Sequence, residues 1–108
     1  MKTVAFALIG ALVAFNVHAG DADKGRQKAS QVCAACHGAD GTKPSAPDQP
    51  VLAGQYYDYL VRAQSDYKNG RRTNAIMKGF AGQLSKQDIE DLAAWFSSQK
   101  TTSLHDQR

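Results

Sequence analysis

The residues best suited to chemistry lie in one short run, Cys33-Ala34-Ala35-Cys36-His37. The run contains both cysteines of the 108-residue chain. Its spacing matches the C-x-x-C-H motif by which c-type haem is attached. Two thiols three residues apart at a helix end can each add to a vinyl group of the porphyrin. The adjacent imidazole is then held under the ring, so we predict that Cys33 and Cys36 attach one haem and that His37 binds its iron.

Three other roles are open to the same run. A thiol-redox pair or a Cys33–Cys36 disulfide suits an oxidising compartment, but a thioredoxin-like motif should accompany a βαβ pattern, which the sequence lacks. A zinc site needs four ligands, and beyond Ala19 the only further candidate is His105, in a polar tail. Two inert buried cysteines would leave the position of His37 unexplained.

A haem with one histidine ligand has a second axial position to fill, and Met77 is the predicted ligand. It is the only methionine after Ala19. A neutral thioether opposite a histidine raises the reduction potential of the iron. The alternative is that Met77 only fills the core, as methionine often does. The sixth position would then be open, or taken by a lysine or His105, and peroxidase-like chemistry would follow.

The helices that position these residues can be read from caps and periodicity. A first helix is predicted over about Ala22 to Ala35, with Asp21 as its N-cap and small residues around Gly25 that allow close approach of a neighbouring helix. Residues 38–50 hold all three prolines and are predicted to be a loop.

The remainder of the chain also reads as helical. A second helix is predicted from near Gly54 to Asn69, closed by Gly70. Its predicted buried stripe is Tyr56, Leu60, Ala63 and Tyr67. Residues 71–83, around Met77, are predicted to be mostly loop with at most a short helical turn. A third helix should begin at Ser85, which starts a variant capping box, and Leu84 and Ile89 should form the hydrophobic staple around it. The predicted apolar stripe of this helix consists of Ile89, Leu92, Ala93 and Phe96. No alternating strand pattern is present, so the fold class is all-α.

Residues 1–19 have the form of a secretory signal peptide. A basic start at Lys2 precedes an apolar run, and cleavage is expected after Ala19. The alternative is retention of this segment as a membrane anchor. The cleaved protein would be one domain, Gly20 to Arg108, in the periplasm. The formal net charge is +3 with no basic block, which does not fit a nucleic-acid-binding protein.

Together these features give the chain a resemblance to the bacterial class I cytochromes c. It is most similar to a single domain of the di-haem periplasmic cytochromes and to their mono-haem relatives. The markers are the haem motif with Gly38 after it, Pro50 to Gln55, Tyr59-Leu60, Gly70-Arg71, Met77, Leu84-Ser85 and Leu92 to Phe96. The resemblance covers nearly all of Gly20 to Gln99.

The resemblance implies roles for further residues. The carbonyl of Pro50 should accept a hydrogen bond from Nδ1 of His37 and fix the ring. Gly25 should meet Trp95 or Phe96 where the first and last helices cross. The side chains implied to contact the haem are Leu52, Tyr59, Leu60, Tyr67, Ile76 and Phe80. For Tyr59 the alternative is a position in solvent, because the second helix already has a buried stripe without it.

A function follows from the same resemblance. We expect a single haem c that cycles between ferric and ferrous states, in a protein that is not itself an enzyme. Expected partners are redox proteins such as an oxidase, reductase or dehydrogenase, including transient docking on membrane proteins. Relatives often carry two haem domains in one chain, so this chain is expected to work alone, pair with itself as a homodimer, or serve as the haem subunit of a larger dehydrogenase or oxidase complex. A small haem peroxidase is the alternative from a different class.

Overall fold

The computed structural model describes residues 3–5, 10 and 20–100. Most of the predicted signal peptide, and the tail that contains His105, lie outside the described residues. Residues 20–100 form helices joined by loops, and no strand occurs among them. The helices are α1 (Ala22–Val32), α2 (Ala34–His37), α3 (Tyr57–Asn69), α4 (Ala75–Gly82) and α5 (Lys86–Ser98). The expected all-α class is confirmed.

The first helix is shorter than predicted because its hydrogen-bonding pattern breaks at Cys33. The Asp21 carboxylate caps α1 by accepting from the backbone N–H groups of Asp23 and Lys24, as expected. Cys33 caps the C-terminus of α1 and begins a new helical turn, since its carbonyl accepts from the N–H of His37 at 3.0 Å. The haem motif therefore occupies a separate short helix, α2, set off from α1 at the first cysteine.

Helices α1 and α5 cross at Gly25, where the two backbones meet. A Cβ at Gly25 would lie 1.9 Å from the backbone oxygen of Asp91 and 2.9 Å from the Trp95 Cβ. Only a residue without a side chain fits this crossing, and the expected pairing of Gly25 with Trp95 is confirmed. Phe96 packs elsewhere, against Gly41 of the loop. The structure thus resolves the choice between the two aromatic residues.

The start of α3 and its buried face differ from the prediction. The helix begins at Tyr57, because Ala53 and Gly54 form a turn in which the N–H of Gln55 donates to the carbonyl of Leu52 and Gly54 has φ +76°. Tyr56 is the N-cap, and 61% of its side chain is exposed, so its place in a buried stripe was wrong. Tyr57 and Val61 instead pack against the core beside buried Leu60. The predicted C-terminal cap is confirmed: Gly70 is left-handed with φ +78°.

Residues 75–82 form a helix where mostly loop was predicted. Asn74 caps α4, and its side chain accepts a hydrogen bond from the N–H of Met77 at 3.0 Å. Ala81 of α4 is buried, and the helix packs against α3. The two glycines of the segment hid its helical character in the sequence, because glycine lowers helix propensity while packing against α3 compensates for it.

Helix α5 forms the centre of the domain, packing against both α1 and α3. The predicted capping box is present, with Ser85 Oγ accepting from the N–H of Asp88 and the Asp88 carboxylate accepting from the N–H of Ser85. The residues of the buried cluster come mainly from this helix: Ala29, Leu60, Leu84, Ile89, Leu92, Ala93 and Phe96. The predicted apolar stripe of α5 is therefore confirmed.

Candidate haem site

The two cysteines are the first and fourth residues of the five-residue haem motif, a spacing of about one helical turn. Both are free and half-buried. Burial, followed by the proximity of Cys36, raises the pKa of the Cys33 thiol to about 11. Cys33 is therefore protonated at neutral pH, and it packs against the core cluster. In residues 20–100 no group of three or more His, Cys, Asp and Glu side chains could hold a metal ion.

The imidazole of His37 is fixed by a single hydrogen bond. Its Nδ1 lies 2.9 Å from the carbonyl oxygen of Pro50, the contact expected from the resemblance. A proline carbonyl can only accept, so Nδ1 is the donor of this bond and Nε2 is the ring nitrogen left for a metal. His37 is only 6% exposed, so its ring has little freedom to turn. A neutral imidazole with an oriented Nε2 is the form that binds a metal.

The loop that supplies Pro50 is anchored to α5 by contacts that the sequence did not indicate. The indole Nε1 of Trp95 donates to the carbonyl of Ala39 at 3.0 Å, directly after the haem motif. The N–H of Gly54 donates to the carbonyl of Phe96 at 2.9 Å. These bonds tie both ends of the loop to the central helix and so hold Pro50 in position for His37. The only feature of the sequence that could have indicated this anchoring is that the chain contains a single tryptophan.

Met77 lies in the first turn of α4 and is half-buried. Helix α4 packs on α3, whereas α2 packs on α1. His37 and Met77 thus come from different parts of the domain, as two ligands on opposite sides of a flat group must. Iron ligation by Met77 remains a prediction.

The other residues implied to contact haem fall into two groups. Leu60 is buried and Leu52 packs against the same core cluster, so both belong to the protein interior, and their contact with haem stays a prediction. Tyr59 and Tyr67 are joined by Arg72, a residue absent from the predicted site: its guanidinium lies 4.8 Å from the centre of the Tyr67 ring and donates to the Tyr59 hydroxyl at 3.3 Å. The hydrogen bond with Tyr59 is the main cause of the raised pKa of Arg72.

The chain's apolar surface is suited to a large flat group. Within residues 20–100, the exposed large apolar side chains all belong to the start of α3 and to α4: Tyr56 at 61%, Tyr59 at 47%, Ile76 at 67% and Phe80 at 43%. Scattered single apolar residues are normal on a surface, but a cluster on two packed helices marks a binding site. Two free thiols, an oriented imidazole and this apolar surface are the parts that a covalently attached haem requires.

The site therefore defines a c-type haem protein. Residues 22–100 match the cytochrome c family, and the chain belongs to that family. It is 54% identical over 82 residues to cytochrome c4 of Pseudomonas aeruginosa, a match that spans 76% of this chain and 40% of the relative. It is 44% identical to cytochrome c-554(548) of Halomonas halodenitrificans, over 76% of this chain and the whole of that protein.

A solved structure gives the same result for the fold. The crystal structure of reduced recombinant cytochrome c4 from Pseudomonas stutzeri aligns with a TM-score of 0.69 at 46% identity, covering 75% of this chain and 46% of that one. The chain thus spans less than half the length of the cytochrome c4 proteins that it matches. The class I cytochrome c fold is confirmed, and haem c is the cofactor that this family attaches through the Cys33 to His37 motif.

Proposed function

We propose that the chain is a periplasmic electron carrier that holds one haem c. The observation that carries the proposal is the hydrogen bond between Nδ1 of the buried His37 and the Pro50 carbonyl, which leaves Nε2 available to bind iron. When bound, the haem supplies a single iron that gains or loses one electron. Membership of the cytochrome c family supports the same conclusion.

The residues of the chain have separate parts in this function. Cys33 and Cys36 would hold the haem by thioether bonds, and His37 would bind its iron. Met77 would be the second protein ligand, and its thioether would favour the ferrous state and raise the reduction potential. The apolar side chains of α3 and α4 exclude water from the iron.

The proposed location follows from the form of residues 1–19, which we expect to direct export and to be removed after Ala19. Among the described residues, no helix has both the length and the apolar character needed to cross a membrane. The proposed partners are redox proteins, namely an oxidase, a reductase or a dehydrogenase.

Spectroscopy of the purified protein tests the proposal. Acid denaturation followed by extraction with organic solvent should leave the haem on the chain. The ferrous spectrum should not change when carbon monoxide is added, because both axial positions are filled by protein. Turnover of peroxide should be negligible beside electron exchange with a small redox mediator. Substantial peroxidase activity of unmodified protein would show an enzyme rather than a carrier.

A further inference from the structure

Asp91 of α5 is a buried carboxylate that the haem site does not use. Only 4% of the residue is exposed. Its Oδ1 accepts hydrogen bonds from the backbone N–H of Asp21 and from the side-chain amide of Gln87, both at 2.8 Å. Both donors are neutral groups. Burying a charge is costly unless the charge is paired as well as hydrogen-bonded, so the setting of Asp91 calls for a cation.

No lysine or arginine side chain of residues 20–100 supplies that cation. Within this part of the chain, the one ion pair within 4 Å joins Lys28 to Asp88, one helical turn before Asp91 on α5. A carboxylate offers about four acceptor positions, so Asp91 can take a further donor beside the two that it has. The cation should therefore be a group other than a side chain of the domain.

The backbone of Gly20 lies directly against the same turn of α5. A Cβ at Gly20 would lie 2.1 Å from the backbone oxygen of Glu90 and 3.2 Å from the Cβ of Ala94, so a side chain would not fit there. Three covalent bonds separate the nitrogen of Gly20 from that of Asp21, a distance of no more than about 4 Å. Since Asp91 holds the N–H of Asp21 at 2.8 Å, the nitrogen of Gly20 lies within roughly 7 Å of the same carboxylate.

The charge of the Gly20 nitrogen depends on processing of the chain. In the uncleaved chain this nitrogen is a neutral amide, whereas removal of residues 1–19 would make it an α-ammonium, which is mostly protonated at pH 7. Cleavage would also release the nitrogen from the preceding residue, so that it can turn toward a nearby acceptor. The positive end of the α1 dipole disfavours a cation at this point, so the ammonium needs a carboxylate to stabilise it.

We propose that Asp91 is the binding site for the α-ammonium that cleavage creates at Gly20, so that processing itself stabilises the folded domain. The inference rests on the proposed cleavage after Ala19 and goes beyond the electron-transfer role. The ammonium donates to the Asp91 carboxylate beside the N–H of Asp21, which holds the start of the mature chain on α5. Charge-assisted hydrogen bonds of this kind are roughly twice as strong as neutral ones. The uncleaved chain, with an amide at the same place, is the less stable form.

A double-mutant cycle on exported, haem-loaded protein tests the docking. The first change inserts Ser-Thr between Ala19 and Gly20, which moves the ammonium by up to about 7 Å without changing the net charge. The second change is Asp91→Asn, which keeps an acceptor oxygen but removes the charge. The insertion should raise the unfolding equilibrium constant about tenfold in the wild-type background, and by less than about twofold beside Asp91→Asn. Chemical denaturation of all the forms measures these constants.

The matched control is Asp23→Asn, which removes an exposed carboxylate from the first turn of α1. In that background the insertion should still raise the unfolding constant about tenfold. An equal effect of the insertion beside Asp23→Asn and beside Asp91→Asn would show that the terminus does not use Asp91 and would overturn the proposal. An insertion that has no effect in the wild-type background would overturn it as well.

The reactivity of the α-amine gives a second measurement, which remains decisive if Asp91→Asn prevents folding. A carboxylate that binds the ammonium favours the charged form, which is not a nucleophile. At pH 7, acylation of the α-amine should therefore be about tenfold slower in the wild type than in the form with the insertion. Mass spectrometry of peptides from the labelled proteins measures both rates. Equal rates would overturn the docking.

The mass and the visible spectrum separate this inference from the proposals before it. The exported protein should have the mass of Gly20 to Arg108 plus one haem. A different mature terminus would contradict the cleavage and the docking with it. With the terminus at Gly20, a failed cycle would contradict the docking alone. The haem spectrum and the reduction potential of every form should match those of the wild type, because the terminus does not belong to the haem site.

Discussion

The two residues expected to bind the iron receive different support from their surroundings. His37 is buried, and its Nδ1 is held by Pro50, so both its orientation and its tautomer are fixed by the protein. Met77 is held through its backbone by Asn74, while its side chain is half-buried on a short helix. Of the two expected ligands, Met77 should therefore be the more easily displaced from the iron.

Replacing Met77 with alanine tests its role as a ligand. The variant should keep its haem, because attachment depends on Cys33 and Cys36. Its reduction potential should fall by on the order of 0.1 V, a fraction of the ~0.8 V range that axial ligands set. Carbon monoxide should then bind the ferrous protein, which voltammetry and visible spectra will measure. The neighbouring change Ile76→Ala is the control and should leave the iron closed; an unchanged potential in Met77→Ala would exclude Met77 as a ligand.

For single residues, the sequence predicted the roles that depend on neighbours in the chain. It did not predict contacts between residues that are far apart in the chain. The spacing from Cys33 to His37 identifies the haem motif without any knowledge of the fold. The support given by Trp95 to Ala39 joins residues 56 positions apart, and nothing in their types indicates the pairing. The contact of Arg72 with Tyr59 was missed for the same reason, since two adjacent arginines beside a glycine look like an ordinary exposed turn.

Among the helices, the contact of α1 with α5 depends on one missing side chain. Gly25→Ala would place a methyl group 1.9 Å from the Asp91 oxygen, so the helices must separate. We expect a loss of about 1–3 kcal/mol in the free energy of unfolding, measured by chemical denaturation of the haem-loaded protein. The control is Gly82→Ala in α4, where no atom lies within 4 Å of the new Cβ. That change should be neutral or stabilising by up to about 1 kcal/mol; equal effects at both sites would contradict the close crossing.

The capping box of α5 gives a prediction about pH. Hydrogen bonds from the backbone and hydroxyl of Ser85 hold the pKa of Asp88 below its usual value of 3.8, with the N–H of Ser85 as the main cause. A lowered pKa means that the carboxylate stabilises the folded state above pH ~4 and that this stability is lost as the pH falls through the folded-state pKa. The free energy of unfolding should therefore differ between wild type and Asp88→Asn at pH 7, and the difference should narrow as the pH falls below 3.8. A difference that is constant between these pH values would contradict the role of the charge.

The ends of the helices were easier to predict than the presence of helix α4 in the middle of the chain. Asp21, Gly70 and Ser85 have side-chain or backbone properties that mark a helix terminus by themselves. Helix α4 carries two glycines within its eight residues, and its packing against α3 overrides that weak propensity. The position of Tyr56 was wrong because Gly54 delays the start of α3 and turns the tyrosine outward.

For the molecule as a whole, the composition of the core explains why a cofactor is needed. Four of the fully or nearly buried apolar residues are alanines, namely Ala29, Ala53, Ala81 and Ala93. Small side chains allow the helices to approach closely but bury little apolar surface. The larger Tyr59, Ile76 and Phe80 are left exposed by the protein alone. A domain of this size commonly depends on a metal or cofactor to complete its core.

Removing the haem should therefore destabilise the whole domain. Burying a large apolar side chain contributes about 1.5–3 kcal/mol. Covering three that are between 43% and 67% exposed thus contributes roughly 2–5 kcal/mol, against a typical total of ~5–15 kcal/mol. We expect the variant Cys33→Ala with Cys36→Ala, purified without haem, to bind an apolar dye such as ANS and to lose its cooperative thermal transition. Circular dichroism and dye fluorescence measure both effects, with the haem-loaded wild type as the control. A haem-free variant that unfolds cooperatively near the wild-type temperature, with no added dye binding, would show that the helices alone complete the core.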